Sequence, residues 1–594
     1  MSANSSSADT VLCVDFGTAN TRALLFDVVE AGYRFVGYGE APSTINAPYR
    51  DASEGLHHAL ETLQRITGRQ VLDDHAHLIM PATSDGRGVD GFVATSSAGP
   101  AVRAVLVGLL PDVSLASARR IAASSYINVL DTFSLGDVRG EDEQIDAVIA
   151  ARPELLIIAG GSDGGATRAL LKLVETVSLA CHLLPPGIHP RALFVGNTDL
   201  QTRMNELLGR VSAVHLAPNV QPALGREQLG PARAELGRTF EEIRLEQVGG
   251  FAAVSQWAGG HIFPTAQAQG TYARFLSRLP AWSRGVLSVD AGSASTSIAA
   301  AWNGDLRLNV QTNLGLGSGA AAALADTPID QMTRWLPSAV SDDAFREFVL
   351  NKAAHPSSVP ADPGELWLEL ALARQVIRQA ARRARPDWPA EAPAFRPEFL
   401  PWFSLIIGGG AVLGRAPRPG LAALVLLDAL QPCGVTRLMI DPYHLQAALG
   451  AAADTHPLLA AQVHDSLPLL DLGTSVSLIG RARLGDPAVS VKLVPDAADG
   501  DGANASQSAE SQTDVPFGSL ALLALAPGRT GKLSIRPRAG FNAGFGAGRG
   551  RTVTVQGGVL GVVIDARGRP VALPRAADQR QDLVKQWTWR MGGG

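Results

Sequence analysis

The sequence predicts a multidomain α/β chain in which one hairpin-bearing lobe is built twice, and three observations carry that expectation. The stretch Val11-Leu12-Cys13-Val14-Asp15-Phe16-Gly17-Thr18-Ala19-Asn20-Thr21-Arg22 has a counterpart far downstream. That counterpart is Val286-Leu287-Ser288-Val289-Asp290-Ala291-Gly292-Ser293-Ala294-Ser295-Thr296-Ser297. Between and after them, apolar strands alternate with amphipathic stretches, the pattern of a parallel sheet covered by helices. Finally, 594 residues exceed what a single core accommodates.

Taken in order, residues 1–9 are polar and Ser-rich and read as a disordered tail. Residues 10–130 form the first lobe, opened by the first hairpin, whose second strand runs from Ala23 to Asp27. Residues 131–280 hold three strand–helix units, with strands Leu155 to Ala159, Ala192 to Val195 and Ala213 to Leu216, then a mostly helical connection. Residues 281–485 form the second lobe, which includes the strand Phe403 to Ile407, a glycine run and a helix from Gly420 to Leu430. Residues 486–575 read as a β module with short alternating runs, carrying a polar, mobile loop at 496–514. Residues 576–594 read as a short helix and a glycine tail.

An Asp-x-Gly turn between two apolar strands suits phosphate chemistry. The turn can aim backbone N–H groups and hydroxyls at an anion. Its aspartate can hold a metal ion, usually through water. Asp15 and Asp290 are therefore the expected catalytic and metal-holding carboxylates. Gly17 and Gly292 allow close backbone approach. Thr18, Asn20, Thr21, Ser293, Ser295 and Thr296 supply hydroxyl and amide donors. Asp-x-Gly alone often just ends a strand; the pair is what points to a clamp. A third motif, Gly408-Gly409-Gly410 between a strand and a helix, offers bare backbone to a flat base or sugar. Gly315 to Gly319 is a further glycine loop that could touch the same cleft.

Composition narrows the partners. A net charge of -5 and the lack of a Lys/Arg run give no footprint for nucleic acid. Cys13, Cys181 and Cys433 lie far apart in apolar patterns and suit a reduced compartment. The N-terminus does not read as a signal peptide, and no apolar run is long enough for a membrane span. The expectation is a cytoplasmic protein.

The order of the three motifs resembles the sugar-kinase, actin and DnaK-type chaperone superfamily. The resemblance narrows on Thr95-Ser96-Ser97-Ala98-Gly99, Ile157-Ile158-Ala159-Gly160-Gly161-Ser162-Asp163-Gly164-Gly165, Val195-Gly196-Asn197, Pro218-Asn219-Val220-Gln221-Pro222 and Gly409-Gly410-Ala411-Val412-Leu413-Gly414. Together these look like the glutamate mutase L (MutL) family, unrelated to the mismatch-repair protein of that name. The resemblance implies duplicated actin-like (ribonuclease H-like) ATPase lobes, with Mg2+ and ATP bound between Asp15 and Asp290. It also implies an accessory or reactivating role toward the subunits of an adenosylcobalamin-dependent mutase. The chain carries no Asp-x-His-x-x-Gly motif of its own, which fits a helper and not the mutase. The family commonly has Lys where Arg22 stands and an acid where Ser297 stands. Arg22 can still neutralise a phosphate in a different geometry. Two readings follow: a weak ATPase, or a nucleotide-bound or empty scaffold without turnover.

A third reading comes from Gly160-Gly161-Ser162-Asp163-Gly164, which matches the G-x-S-x-G nucleophile elbow. Ser162 would then need His215 or His261. The competing reading is a glycine-rich turn whose Ser162 and Asp163 cap a helix.

Overall fold

The computed structural model describes residues 9–165, 167–390, 392, 394–466, 469–496 and 510–592. Residues 1–8 of the expected tail and 497–509 of the expected loop lie outside these. The chain divides into two compact units, one drawn mainly from residues up to 269 and the other mainly from 270 onward.

In the first unit, β1 (Thr10–Phe16), β2 (Asn20–Val29) and β3 (Gly32–Pro42) form an antiparallel meander, and β4 (Gly91–Ser96) runs parallel beside β1. Every residue of β1 is buried, so it sits at the centre of the sheet. Glu30 and Ala31 both take positive φ (51° and 63°), the twist a two-residue hairpin loop requires. The helix Ser53–Thr67 covers this sheet with Leu56, Ala59, Leu60 and Leu63, one buried stripe at helical spacing. A side chain at Gly39 would run into the backbone of that helix, so the glycine sets how closely helix and sheet approach.

An all-parallel sheet interrupts this lobe: β5 (Val102–Gly108), β6 (Ile127–Phe133), β7 (Leu155–Ala159), β8 (Arg191–Phe194) and β9 (Val214–Leu216), in the order β6-β5-β7-β8-β9. This is a doubly wound arrangement. It begins near residue 102, not at 131 as expected. Ala104 to Gly108 is a continuously buried run, and such a run needs helices on both faces, as the centre of a parallel sheet has. β10 (Ile262–Pro264) then returns to pair with β4, giving the first-lobe order β10-β4-β1-β2-β3.

The second unit repeats that order. β11 (Val286–Ala291), β12 (Thr296–Trp302), β13 (Asp305–Gln311), β14 (Leu405–Gly409) and β15 (Gly434–Asp441) are arranged β13-β12-β11-β14-β15. The turn after β12 is again a two-residue loop at positive φ, here Asn303-Gly304. The duplicated ribonuclease H-like, actin-like topology is therefore explicit in strand order. The helix Pro419–Ala429 is buried from Gly420 to Ala429, as a helix apolar on all sides must be.

The expected β module is divided between two sheets. Of β16 (Leu470–Ser477), β17 (Pro487–Pro495), β18 (Ser511–Pro516), β19 (Leu520–Leu523), β20 (Thr530–Pro537), β21 (Arg551–Gln556) and β22 (Val562–Asp565), four form a separate sheet, β18-β17-β20-β21. β16, β22 and β19 instead extend the second-lobe sheet beyond β15, so a boundary at 485/486 cuts a continuous sheet. A buried ion network fixes this join. Asp428 accepts from Arg374 and Arg567, and Asp565 accepts from Arg567 and Arg569. The last helix, Ala577–Arg590, closes over it, with the Arg567 guanidinium 4.7 Å from the centre of the Trp587 ring. Among the described residues no helix is long and apolar enough to cross a membrane.

Candidate functional site

The first Asp-x-Gly turn is shaped by its glycine. Gly17 donates its N–H to the Asn20 carbonyl at 3.0 Å, and a Cβ there would lie 2.7 Å from that oxygen. The next two N–H groups, of Thr18 and Ala19, donate to no acceptor among the described residues. Adjacent unpartnered N–H groups in a half-buried turn form an anion-binding concavity.

Asp15 stands beside that turn, 3% exposed. Its Oδ1 accepts the hydroxyls of Thr95 (2.7 Å) and Thr265 (2.8 Å), and its Oδ2 lies 3.6 Å from Arg22 Nη1. Arg22 also places Nε 3.6 Å from Glu40. The parallel register explains Thr95, which lies opposite Asp15 on β4. Thr265 begins the helix Thr265–Leu276, immediately after β10. Neither threonine was singled out as a site residue. Strand register could have found Thr95, but nothing local announces Thr265. Thr21, by contrast, is fully buried and faces the helix Ser53–Thr67, near Gly55. Alternation along β2 puts it on the face opposite Arg22, so the expected Thr21 donor does not reach the turn.

The second turn repeats the first. Gly292 donates to the Ser295 carbonyl at 2.9 Å, and the N–H groups of Ser293, Ala294 and Ser295 have no acceptor among the described residues. The loop Gly315 to Gly319 wraps this turn. Gly317 and Gly319 donate to the Ser293 carbonyl at 2.8 and 3.0 Å, and Leu316 donates to Gly292 at 2.8 Å. Side chains at 315, 317 or 319 would collide with the turn, which accounts for the spacing of those glycines. Thr296 is buried and gives its hydroxyl to the Leu314 carbonyl at 2.8 Å. It therefore holds the loop and offers the turn no donor, contrary to expectation.

Asp290 occupies the position in β11 that Asp15 holds in β1. Asp15 is in register with Arg22 and Thr95; Asp290 is in register with Ser297 and Gly409. A Cβ on Gly409 would sit 2.9 Å from Asp290 Oδ1. One on Gly410, at φ +94°, would run into the Ala291 carbonyl, and one on Gly408 would meet Leu413 and Ile440. All three glycines are buried. The room they leave is filled by the lobe itself, so Gly409 and Gly410 pack against Asp290 and Ala291, Gly408 packs against Leu413 and Ile440, and none of them presents open backbone as expected. Asp441, in register with Gly409 on β15, is a further buried carboxyl. Burial pushes its pKa up, against the N–H groups of Gln446 and Leu445 that it accepts. It caps the helix Leu445–Thr455 and was not anticipated.

No group of three or more His, Cys, Asp or Glu that could hold a metal ion occurs among the described residues. A cation at either hairpin would thus keep most of its ligands as water and phosphate oxygen, the habit of Mg2+.

The hydrolase reading fails on geometry. Ser162 is exposed, and its hydroxyl makes no hydrogen bond among the described residues. His215 is held by Glu235 and Glu242, each at 3.2 Å, and His261 lies 3.8 Å from Glu241. The helix after β7 begins only at Arg168, well past Ser162, whereas a nucleophile elbow turns directly from strand into helix. Asp163 accepts from Asn219 and Thr198, which lower its pKa and tie the loop to its neighbours.

A family model described as MutL protein matches residues 11–467. Protein MutL of Clostridium tetanomorphum is 22% identical over 495 residues, covering 77% of this chain and 98% of that protein. Among solved structures, a nucleotide-free acetone carboxylase is 12% identical with a TM-score of 0.33, covering 75% of this chain and 70% of the other. A glycerol dehydratase reactivase is 12% identical with a TM-score of 0.26, covering 70% and 94%. Xylulose kinase from Bifidobacterium adolescentis is 12% identical with a TM-score of 0.25, covering 79% and 96%.

Proposed function

The chain belongs to the MutL protein family, and on that premise we propose that it is an ATP-binding accessory or reactivating factor of an adenosylcobalamin-dependent, glutamate mutase-like enzyme. The observation that supports this is the repeated turn: unpartnered N–H groups at Thr18–Ala19 and at Ser293–Ser295, each beside a carboxylate at the same strand position. Such turns receive phosphate oxygens. Asp15 and Asp290 would orient a hydrated Mg2+, and Arg22 would offset charge near the first turn. ATP supplies the reactive phosphoanhydride when bound. Catalysis at such a site rests on positioning and charge neutralisation, and nucleotide exchange would drive closure of the lobes on a mutase client.

A second reading, binding without turnover, is favoured by a specific pair of residues. Ser297 provides no acid beside Asp290, and Asp15 already faces Arg22 at 3.6 Å. ATP affinity and phosphate release in the wild type, Asp15→Ala and Asp290→Ala separate the readings. Binding with turnover, lost in both variants, supports the ATPase. Binding without turnover supports the scaffold, and no binding sinks both. Nucleotide-dependent release of co-purified mutase subunits tests the accessory role.

A further inference from the structure

Within the second unit, away from the hairpin turn, lies a cavity of about 810 Å³. Five arginines line it (Arg334, Arg378, Arg396, Arg481 and Arg569), and among the described residues no aspartate or glutamate does. Trp335 and Phe517 supply apolar wall, and both are almost fully buried.

The charge is poorly compensated. Arg378, half-buried on the helix Pro363–Ala384, has no hydrogen-bond or ion-pair partner among the described residues, and neither has Arg481. Arg334 bonds only the neutral Gln331, at 3.0 Å. Arg396 is 3.8 Å from Glu398. Behind the wall, Arg569 belongs to the network in which three guanidinium groups (Arg374, Arg567, Arg569) share two carboxylates, Asp428 and Asp565. That network carries one positive charge in excess.

A guanidinium withdrawn from water without an anion is costly, and neighbouring like charges raise the cost. Burial lowers the pKa of Arg378, and Arg334 and Arg382 lower it further. Burial acts likewise on Arg334, with Arg580 adding to it and Asp330 opposing it. The three groups without a direct ion-pair partner among the described residues come from separate places: the end of the helix Asp330–Thr333, the helix Pro363–Ala384, and the segment after β16. Planar guanidinium forks converging on a partly open pocket suit oxyanions carrying more than one charge.

We propose that this cavity binds a small, multiply charged oxyanion with an apolar part, the arginines holding the anionic end and Trp335 and Phe517 the remainder. The shared chemistry fits either a phosphate ester or a polycarboxylate. The site uses none of the residues of the two hairpins, so it does not depend on the nucleotide reading.

Calorimetric titration of the full chain with inorganic pyrophosphate, and separately with citrate, tests it. Saturable binding of at least one probe is expected, weakening as salt is raised, and the probe that binds identifies the source. Arg378→Gln and the exposed Arg481→Gln are each expected to weaken that binding about tenfold. Asp290→Asn should leave it unchanged, and the bound probe should raise the Tm of the wild type more than that of Arg378→Gln. Failure of both probes to saturate overturns the proposal. So does binding that survives both arginine substitutions, or that is lost in Asp290→Asn with the arginine variants silent. Absence of ATP binding in the wild type beside intact pyrophosphate binding would strike only at the nucleotide reading.

Discussion

Thr265 donates its hydroxyl to Asp15 at 2.8 Å across 250 positions of sequence. With Thr95 it fixes which way the carboxylate faces. Thr265→Val keeps the shape and removes the donor, which costs on the order of 1 kcal/mol. ATP binding should weaken about fivefold, with the Tm moved little, measured by titration and thermal melts of the same preparations.

Gly409→Ala places a methyl group 2.9 Å from Asp290 Oδ1 and must move the carboxylate. A loss of about 1–3 kcal/mol is expected in urea unfolding, together with weakened ATP binding. Gly410→Ala adds an unfavourable backbone at φ +94° and a collision with Ala291, so it should be the more damaging of the two. Equal stability of all three proteins would refute this account of the glycine run.

The ion network makes stability depend on acid. Burial alone would raise the Asp565 pKa, yet Arg567 and Arg569 beside it hold it well below the usual carboxylate range. A depressed folded pKa contributes stability above the unfolded value of about 4, and that contribution is lost as pH falls toward the folded value. Asp565→Asn leaves the buried Arg569 without a carboxylate and Arg567 with Asp428 alone, and should cost about 3–5 kcal/mol at neutral pH. Its denaturation midpoint should also vary less with pH below about 4 than that of the wild type.

All three cysteines are buried and free. Burial raises the pKa of Cys181 to about 12 and that of Cys433 to about 11, and Cys13 goes higher still. The thiolate is the reactive form, so none should react with a thiol reagent at neutral pH until the chain unfolds. Rapid labelling of the native protein would contradict the burial described.

Much of the site was legible because its signal is local. Asp-x-Gly between apolar strands, repeated, placed Asp15 and Asp290 at equivalent strand ends, and strand order bears that equivalence out. Thr21 and Thr296 show the limit of residue type alone. Alternation along one strand and a distant carbonyl direct their hydroxyls elsewhere. The glycines at 408–410 look like open backbone in the sequence, because composition does not tell which neighbour occupies the space a missing side chain leaves. The sequence points to a boundary at 131 and the structure has it near 102 for a related reason: Val102 to Gly108 suits an edge of the first lobe as well as the centre of a parallel sheet, and pairing partners decide.

By itself the sequence determined the duplication, the paired carboxylates and the family, since each rests on patterns spanning a few neighbouring residues. Only the tertiary structure decided which hydroxyls orient Asp15 and which glycines seat Asp290. It alone gathered Arg334, Arg378, Arg481 and Arg569 around one cavity. Those relationships join positions tens to hundreds of residues apart, and packing of strands and helices, not local propensity, brings such positions together.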